Sequence, residues 1–235
     1  MRSKLLVLIA VLTLAAGCSS VRSRPADGPA GESAEARVRS IPDPLEPVNR
    51  GFYHFNDKLY FWVLKPVSQG YAAVVPRIAR RGVKNFFTNL AMPIRAVNCL
   101  LQADLEGTGT ELGRFGVNTT VGVLGLGDVA GAWGIPLRKE DFGQTLGVYG
   151  LGPGLYITWP IFGPSSIRGT VGSVADAAIY PPTYVPGATA VERVNDTSLR
   201  LGDYEDLKEA ALDPYIAIRN AYHQRRRHLI EDRGK

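Results

Sequence analysis

The chain has 235 residues, 45% of them hydrophobic and 21% charged, with a formal net charge of +5 and two cysteines. That length and apolar content suffice for one domain with a sizeable core, and so mild a charge does not argue for nucleic acid as a partner. With so few thiols, packing rather than internal disulfides holds the fold, whatever the redox compartment.

Arg2 and Lys4 precede a twelve-residue, predominantly apolar run from Leu5 to Ala16, and the small residues Ala15, Ala16 and Gly17 lead into Cys18. A basic start, a short apolar stretch and small residues before a cysteine describe a cleaved lipoprotein signal over 1–17. The run is too short to span a bilayer, which takes roughly 20 apolar residues. The mature chain is then expected to begin at Cys18, acylated on its thiol and on its new amino group. Two or more chains anchor stably, each buried methylene contributing about 0.8 kcal/mol. Ser19 stands where an aspartate would signal inner-membrane retention, which points to the outer membrane. The alternative is an ordinary signal peptide that ends near a cysteine. Removing 1–17 leaves 25 basic against 22 acidic residues. Residues 18–42 carry almost no large apolar side chains and read as a disordered tether. Such a coil has a mean span of roughly 27 Å, which keeps the folded part near its leaflet.

From Asp43 the composition changes. Phe52, Phe55, Leu59, Trp62 and Val63 recur at helical spacing and predict an amphipathic helix over 48–64, ended by Lys65 and Pro66. Tyr60 and Phe61 lie off that stripe, suited either to headgroup depth in a membrane or to packing inside the domain. Further helical stripes follow over 74–79, at Ile94, Val97, Leu101 and Leu105, and at Leu112, Phe115 and Thr119. Cys99, in the apolar setting AVNCLLQ, is expected to be a small buried hydrophobe. Seventeen of the 26 glycines fall between Gly107 and Gly172. At about 1 kcal/mol each against helix, that density implies close backbone approach, tight turns or a segment that moves. The strand candidates, 156–162 and 179–185, are each interrupted by proline. Tyr204, Leu207 and Ala211 form another stripe. Asp213 and Pro214 then read as N-cap and first position of a helix reaching about Glu231, with Tyr215, Ile218, Tyr222 and Leu229 on it. The fold class is therefore mainly α, one domain over 43–232.

Catalytic chemistry is thin. The three histidines, His54, His223 and His228, form no metal-binding pattern, so neither a metal nor a cofactor is expected. No serine sits in a G-x-S-x-G elbow, and YGLGP from Tyr149 matches neither phosphate-loop fingerprint. Asp104 with Glu106, and Glu140 with Asp141, read as solvated loop charges rather than an acid–base pair. An enzyme is the weaker class, an envelope lipase or transferase using a nucleophile such as Ser165 or Ser166. The basic cluster Arg219, Arg225, Arg226, Arg227, Arg233 and Lys235 suits lipid phosphates, an acidic partner, or simply the solvated face of a terminal helix.

Five segments in order carry a resemblance. DPLEPVNRGFYHFN, VKNFFTNLAMPIRAVNCLLQAD, RFGVNTTVGVLGLGDVA, FGQTLGVYGLGPGLYITWPIFGPSSIRG and DPYIAIRNAYHQRR, spread over about 43–230, resemble the MlaA (VacJ) lipoproteins of Gram-negative outer membranes. One departure is Gly169, where many members place an acidic residue after the arginine that Arg168 matches. The resemblance implies a helical, ring-like domain with a central amphipathic channel, seated in the inner leaflet of the outer membrane. It implies withdrawal of mislocalised phospholipids from the outer leaflet and their transfer to a periplasmic lipid-binding carrier, beside a trimeric porin and without hydrolysis. Phe55 and Asn56 match a position implied to gate the channel, and Gly150, Gly152 and Gly154 match a glycine-rich hairpin implied to act as its hinge. The bland alternatives are a helix cap at Asn56 and plain turns at the glycines. At the level of function the competing reading is a structural envelope lipoprotein that organises porins without a lipid path.

Overall fold

The computed structural model describes residues 43–231; the predicted signal, Cys18 and the tether lie outside the described residues. The domain is mainly helical, as expected. Helix α1 (Glu46–Leu59) opens with Pro47 in its first turn, and a π turn (Tyr60–Leu64) joins it to α2 (Lys65–Val74). Lys65 and Pro66 thus do not stop the helix. The widened π turn places Pro66 in the first turn of α2, where a missing N–H and a fixed φ cost little. The stripe predicted over 74–79 is split instead, because Pro76 holds Val75 extended.

After that break come α3 (Arg77–Leu101) and α4 (Leu105–Thr120), the latter capped by the Asp104 carboxylate accepting from the Gly107 N–H at 2.8 Å. Leu105 therefore belongs to the second helix rather than to the stripe of the first. Two short helices follow, α5 (Val129–Ala132) and α6 (Phe142–Val148). Strand β1 (Tyr156–Trp159) pairs antiparallel with β2 (Gly163–Ser166), Tyr156 opposite Ser166 and Trp159 opposite Gly163. Pro160 lies in the intervening turn, so only the first four residues of the 156–162 candidate are strand. The 179–185 candidate is not a strand: prolines 181 and 182 start a 3₁₀ turn (Pro181–Tyr184). The remaining helices are α7 (Ile167–Ala177), α8 (Ala188–Leu199), α9 (Asp203–Ala210) and α10 (Pro214–Glu231). Asp213 caps α10 by accepting from the Ile216 N–H, as the sequence predicts.

The packing closes on itself. α2 lies on α8, α8 on α3, α3 on α6, α6 on α10, α10 on β2, β2 on β1, and β1 on α1, which continues through the π turn into α2. α4 covers α3, and α7 covers α6. At the α6–α7 crossing, a Cβ on Gly172 would come within 2.2 Å of the Gly143 nitrogen, so the backbones touch as the glycine density implied.

Burial runs opposite to that of a water-soluble domain. Among the described residues, nine hydrophobic side chains are buried against sixteen polar or charged ones, and no valine or leucine is among them. A solid apolar core of the usual kind is therefore not what joins these elements. The nearest thing to one is the cluster of Tyr53, Tyr156 and Tyr215 between α1, β1 and α10. Cys99 is fully buried, and burial pushes its thiol up to about 12, so it packs as an inert hydrophobe.

Candidate functional site

Helix α1 decides which way the domain faces. Its buried residues are Asn49 and Tyr53, one turn apart, whereas Phe55, Trp62 and Val63 of the predicted apolar stripe are exposed, Trp62 by 73%. The stripe thus turns mostly away from the interior, with Phe52 and Leu59 half-buried. Val74 and Ile78 continue the apolar exterior at 82% and 83% exposed. Exposed apolar surface on this scale marks a surface that meets something other than water. Tyr60 and Phe61 take the other course and pack within the domain. The Tyr60 hydroxyl donates to Glu205 at 2.9 Å, and the Lys65 and Lys208 ammonium groups lie 5.3 and 4.9 Å from the Phe61 ring centre.

Asn49 organises the inward side. Its amide donates to the Asp43 carboxylate at 3.0 Å and to the Tyr156 carbonyl at 3.1 Å, while its oxygen accepts from the Thr158 N–H at 2.8 Å. Asp43 also receives the Tyr215 hydroxyl and faces the Arg219 guanidinium at 3.6 Å. One buried network therefore ties α1, β1 and α10 together. Sequence reasoning missed it, although the polar face opposite the aromatic stripe was a usable signal.

Phe55 and Asn56 sit mid-helix in α1, so Asn56 is not a cap. Its side chain bridges to the hairpin turn, donating to the Trp159 carbonyl at 2.9 Å and accepting from the Ile161 N–H at 2.6 Å. Ile161 has a left-handed φ of 69°, and Phe162 beside it is 76% exposed. Asn56 is thus a clasp between a helix and a strained, apolar hairpin tip. Gly150, Gly152 and Gly154 lie in the connection from α6 to β1, ahead of the hairpin itself. Gly150 and Gly154 have left-handed φ of 87° and 69°. The end of this connection is held to the start of α7, with the Ile167 N–H donating to Leu155 and the Arg168 N–H to Pro153.

A second polar layer lines α3, α4 and α6. Asp176 accepts from the Asn98 amide at 3.0 Å and from the Phe142 N–H at 2.9 Å, and Asn98 accepts from the Thr145 hydroxyl. Arg114, almost fully buried, donates to Asp128 at 2.7 Å; Asn118, Gly131 and Arg114 together overcome burial and hold that carboxyl below its usual range. Glu111 accepts from the Arg138 N–H at 2.7 Å, yet burial pushes its carboxyl above the usual range. Arg95, beside Glu111 and Glu192, is strongly desolvated. Arg95 Nη1 and Glu111 Oε2 are buried without hydrogen-bond partners among the described residues.

The acid pairs and serines weighed for catalysis have structural work. Asp104 and Asp141 are helix caps, and Asp141 also binds Arg226 at 2.5 and 2.9 Å. Ser166 caps α7 through the Gly169 N–H and accepts from the Tyr222 hydroxyl, while Ser165 pairs with Thr170. At the Gly169 departure, a Cβ would lie 2.6 Å from the Tyr222 hydroxyl, so Tyr222 occupies the place of a side chain. Among the described residues no group of three His, Cys, Asp or Glu side chains is placed to hold a metal, and no helix is long and apolar enough to cross a membrane.

The family model of the MlaA lipoprotein matches residues 41–229. The intermembrane phospholipid transport system lipoprotein MlaA of Shigella flexneri is 36% identical over 236 residues, covering 96% of this chain and 88% of the relative. That of Escherichia coli K12 is 35% identical with the same coverage, and an uncharacterized protein of Rickettsia felis is 35% identical over 80% of this chain and 78% of its own. A solved structure reported as the structural basis for maintenance of bacterial outer membrane lipid asymmetry superposes with a TM-score of 0.72 at 35% identity. It covers 81% of this chain and 100% of its own.

Proposed function

The chain belongs to the MlaA lipoprotein family, and from that premise we propose that it moves phospholipids and so maintains the lipid asymmetry of an outer membrane. It withdraws phospholipids from the outer leaflet and passes them toward a periplasmic lipid-binding carrier, beside a trimeric porin, with no covalent chemistry of its own. Acyl chains on Cys18 hold it to the membrane and residues 18–42 tether the domain.

The observation that carries this reading is the inverted burial, an apolar exterior around a closed circuit whose inward residues are polar. A charge at mid-bilayer costs several kcal/mol, about 2.5–3.5 on insertion scales. A hydrated passage within the circuit removes most of that cost, while the exterior stays in hydrocarbon. On this reading Phe55 and Asn56 form the gate, since Asn56 couples α1 to the hairpin tip, and Gly150, Gly152 and Gly154 give the connection behind the hairpin its freedom to follow.

The test is complementation of a strain lacking its MlaA, with outer-leaflet phospholipid measured by enzymatic labelling of intact cells. The chain restores low outer-leaflet phospholipid if it carries lipid. Restored porin assembly with no change in outer-leaflet phospholipid would favour the scaffold reading instead.

A further inference from the structure

A basic cavity of about 200 Å³ lies between α10 and the start of α7, away from Asn56 and the α3–α4 layer. Ser166 and Arg168 line one side, and Tyr222, His223, Arg226 and Arg227 line the other. Its charges are unevenly answered. Arg226 is matched by Asp141 in a two-point pair. Arg168 has no carboxylate within ion-pair distance among the described residues. Its guanidinium donates to the Leu151 carbonyl, and its Nε is buried without a partner. Gly169 beside it belongs to the same arrangement, because the Tyr222 hydroxyl fills the space a side chain there would take. Among the described residues Arg227 likewise has no ion pair, and the one carboxylate on the cavity wall is Glu231.

His223 completes the set. Its Nε2 is buried and unpartnered, burial together with Arg219 and Arg227 holds the imidazole below its usual range, and the ring can offer an N–H to an acceptor. Arg168 is desolvated with Arg226 close by, and Arg227 lines the same cavity, so an anion there offsets a cost that Asp141 answers only for Arg226. Guanidinium forks from two directions and a single imidazole N–H suit an acceptor with several oxygens around one centre.

We propose that this cavity binds a phosphate group, held by Arg168 and Arg227 with His223 as a third donor. That the phosphate is the headgroup of a phospholipid rests on the function proposed above; free phosphate offers the same oxygens.

The test uses the detergent-solubilised full chain with three probes: inorganic phosphate, water-soluble dihexanoyl-phosphatidylglycerol, and dihexanoylglycerol. Calorimetry gives the affinities, and the His223 side-chain nitrogen signals report occupancy directly. The short-chain phospholipid is expected to bind saturably and shift the His223 signals, whereas dihexanoylglycerol does neither. Arg168→Gln and the more exposed Arg227→Gln should each weaken it at least about tenfold, since hydrogen bonds to charged groups contribute about 1.5–3 kcal/mol. Arg225→Gln, on the same helix outside the cavity, should not. If inorganic phosphate binds equally tightly and competes, the site stands as a phosphate site with its ligand drawn from solution, and lipid transport is judged on outer-leaflet labelling alone. If neither phosphate probe shifts His223, or both variants bind like the parent, the proposal is overturned.

Discussion

Asn56 shows how much a single side chain can carry when two backbones meet at it. It supplies one acceptor and one donor to a hairpin turn that has no other partner of this kind in α1. Asn56→Ala removes both bonds, at about 0.5–1.5 kcal/mol each. Hydrogen exchange at the Ile161 amide should therefore rise about tenfold, and outer-leaflet phospholipid should change while the protein level stays normal. Unchanged exchange would mean that the turn holds itself. Asp141 offers a sharper separation of roles. Asp141→Asn keeps the cap on α6, because asparagine caps as well as aspartate, but loses the pair with Arg226. A third of the carboxylate faces solvent, so the expected cost is about 1 kcal/mol, seen as a melting temperature lower by roughly 2–4 °C. Arg226 and the capping bonds hold the folded Asp141 below its usual range against the opposing effect of burial. Its contribution is complete above the unfolded value of about 3.9 and is lost as pH falls through the lower, folded one. Acid titration of stability should thus be shallower below pH 4 in the asparagine variant. The caps at Asp104 and Asp141 look like ordinary loop acids in the sequence, since their function depends on N–H groups three residues on. Asp213 was legible because Pro214 marks the helix start beside it.

At the scale of elements, the strongly periodic helices were legible, whereas α6, α7, α8 and the joints were not. Periodicity locates α1, α3, α4 and α10, but it cannot say that a π turn carries one helix past Pro66, because that depends on hydrogen bonds no sequence spacing records. The 3₁₀ turn at Pro181–Tyr184 escaped for the same reason, β-prone residues being overridden by two prolines. The glycine-rich middle predicts close approach without saying where. The structure puts it at Gly143 and Gly172, with no room for a methyl group. Gly172→Ala should part α6 from α7 and cost about 1–3 kcal/mol, the usual range for overpacking, read by thermal denaturation. The turn after α4 carries the opposite sign. Val123 and Leu124 both adopt left-handed φ, at 53° and 57°, while remaining 65% and 63% exposed. Each left-handed residue costs about 1–2 kcal/mol. Leu124→Gly should therefore stabilise the domain by about 1 kcal/mol. If the strained apolar tip serves the membrane, the same variant binds vesicles more weakly, which flotation measures; equal binding would leave the strain without a purpose there.

On the scale of the whole molecule, one inversion connects the amino-acid choices with the membrane. Sequence periodicity correctly marks an apolar face on the first helix, but periodicity is silent about whether that face meets a core or a lipid. Burial resolves it: the stripe faces mostly out, and Asn49, Asn98, Glu111 and Arg114 face in. Exposing Trp62 at 73% to water would be wasteful, since a tryptophan covers about 150–250 Å² and apolar area is worth about 25 cal/mol per Å². Seated in acyl chains, the same residue contributes about 3 kcal/mol to holding the domain in its leaflet. The three tryptophans test this directly. Trp62 and Trp133 are widely exposed, whereas Trp159 is 39% exposed and donates its indole N–H to Thr170 at 2.8 Å. In variants that retain one tryptophan each, reconstituted with lipids brominated along the acyl chain, fluorescence of Trp62 and Trp133 should be strongly quenched and that of Trp159 much less. Aqueous iodide should give the reverse order. Strong iodide quenching at Trp62 with no effect of bromine would place the exterior in water, and a polar interior would then have no bilayer to cross.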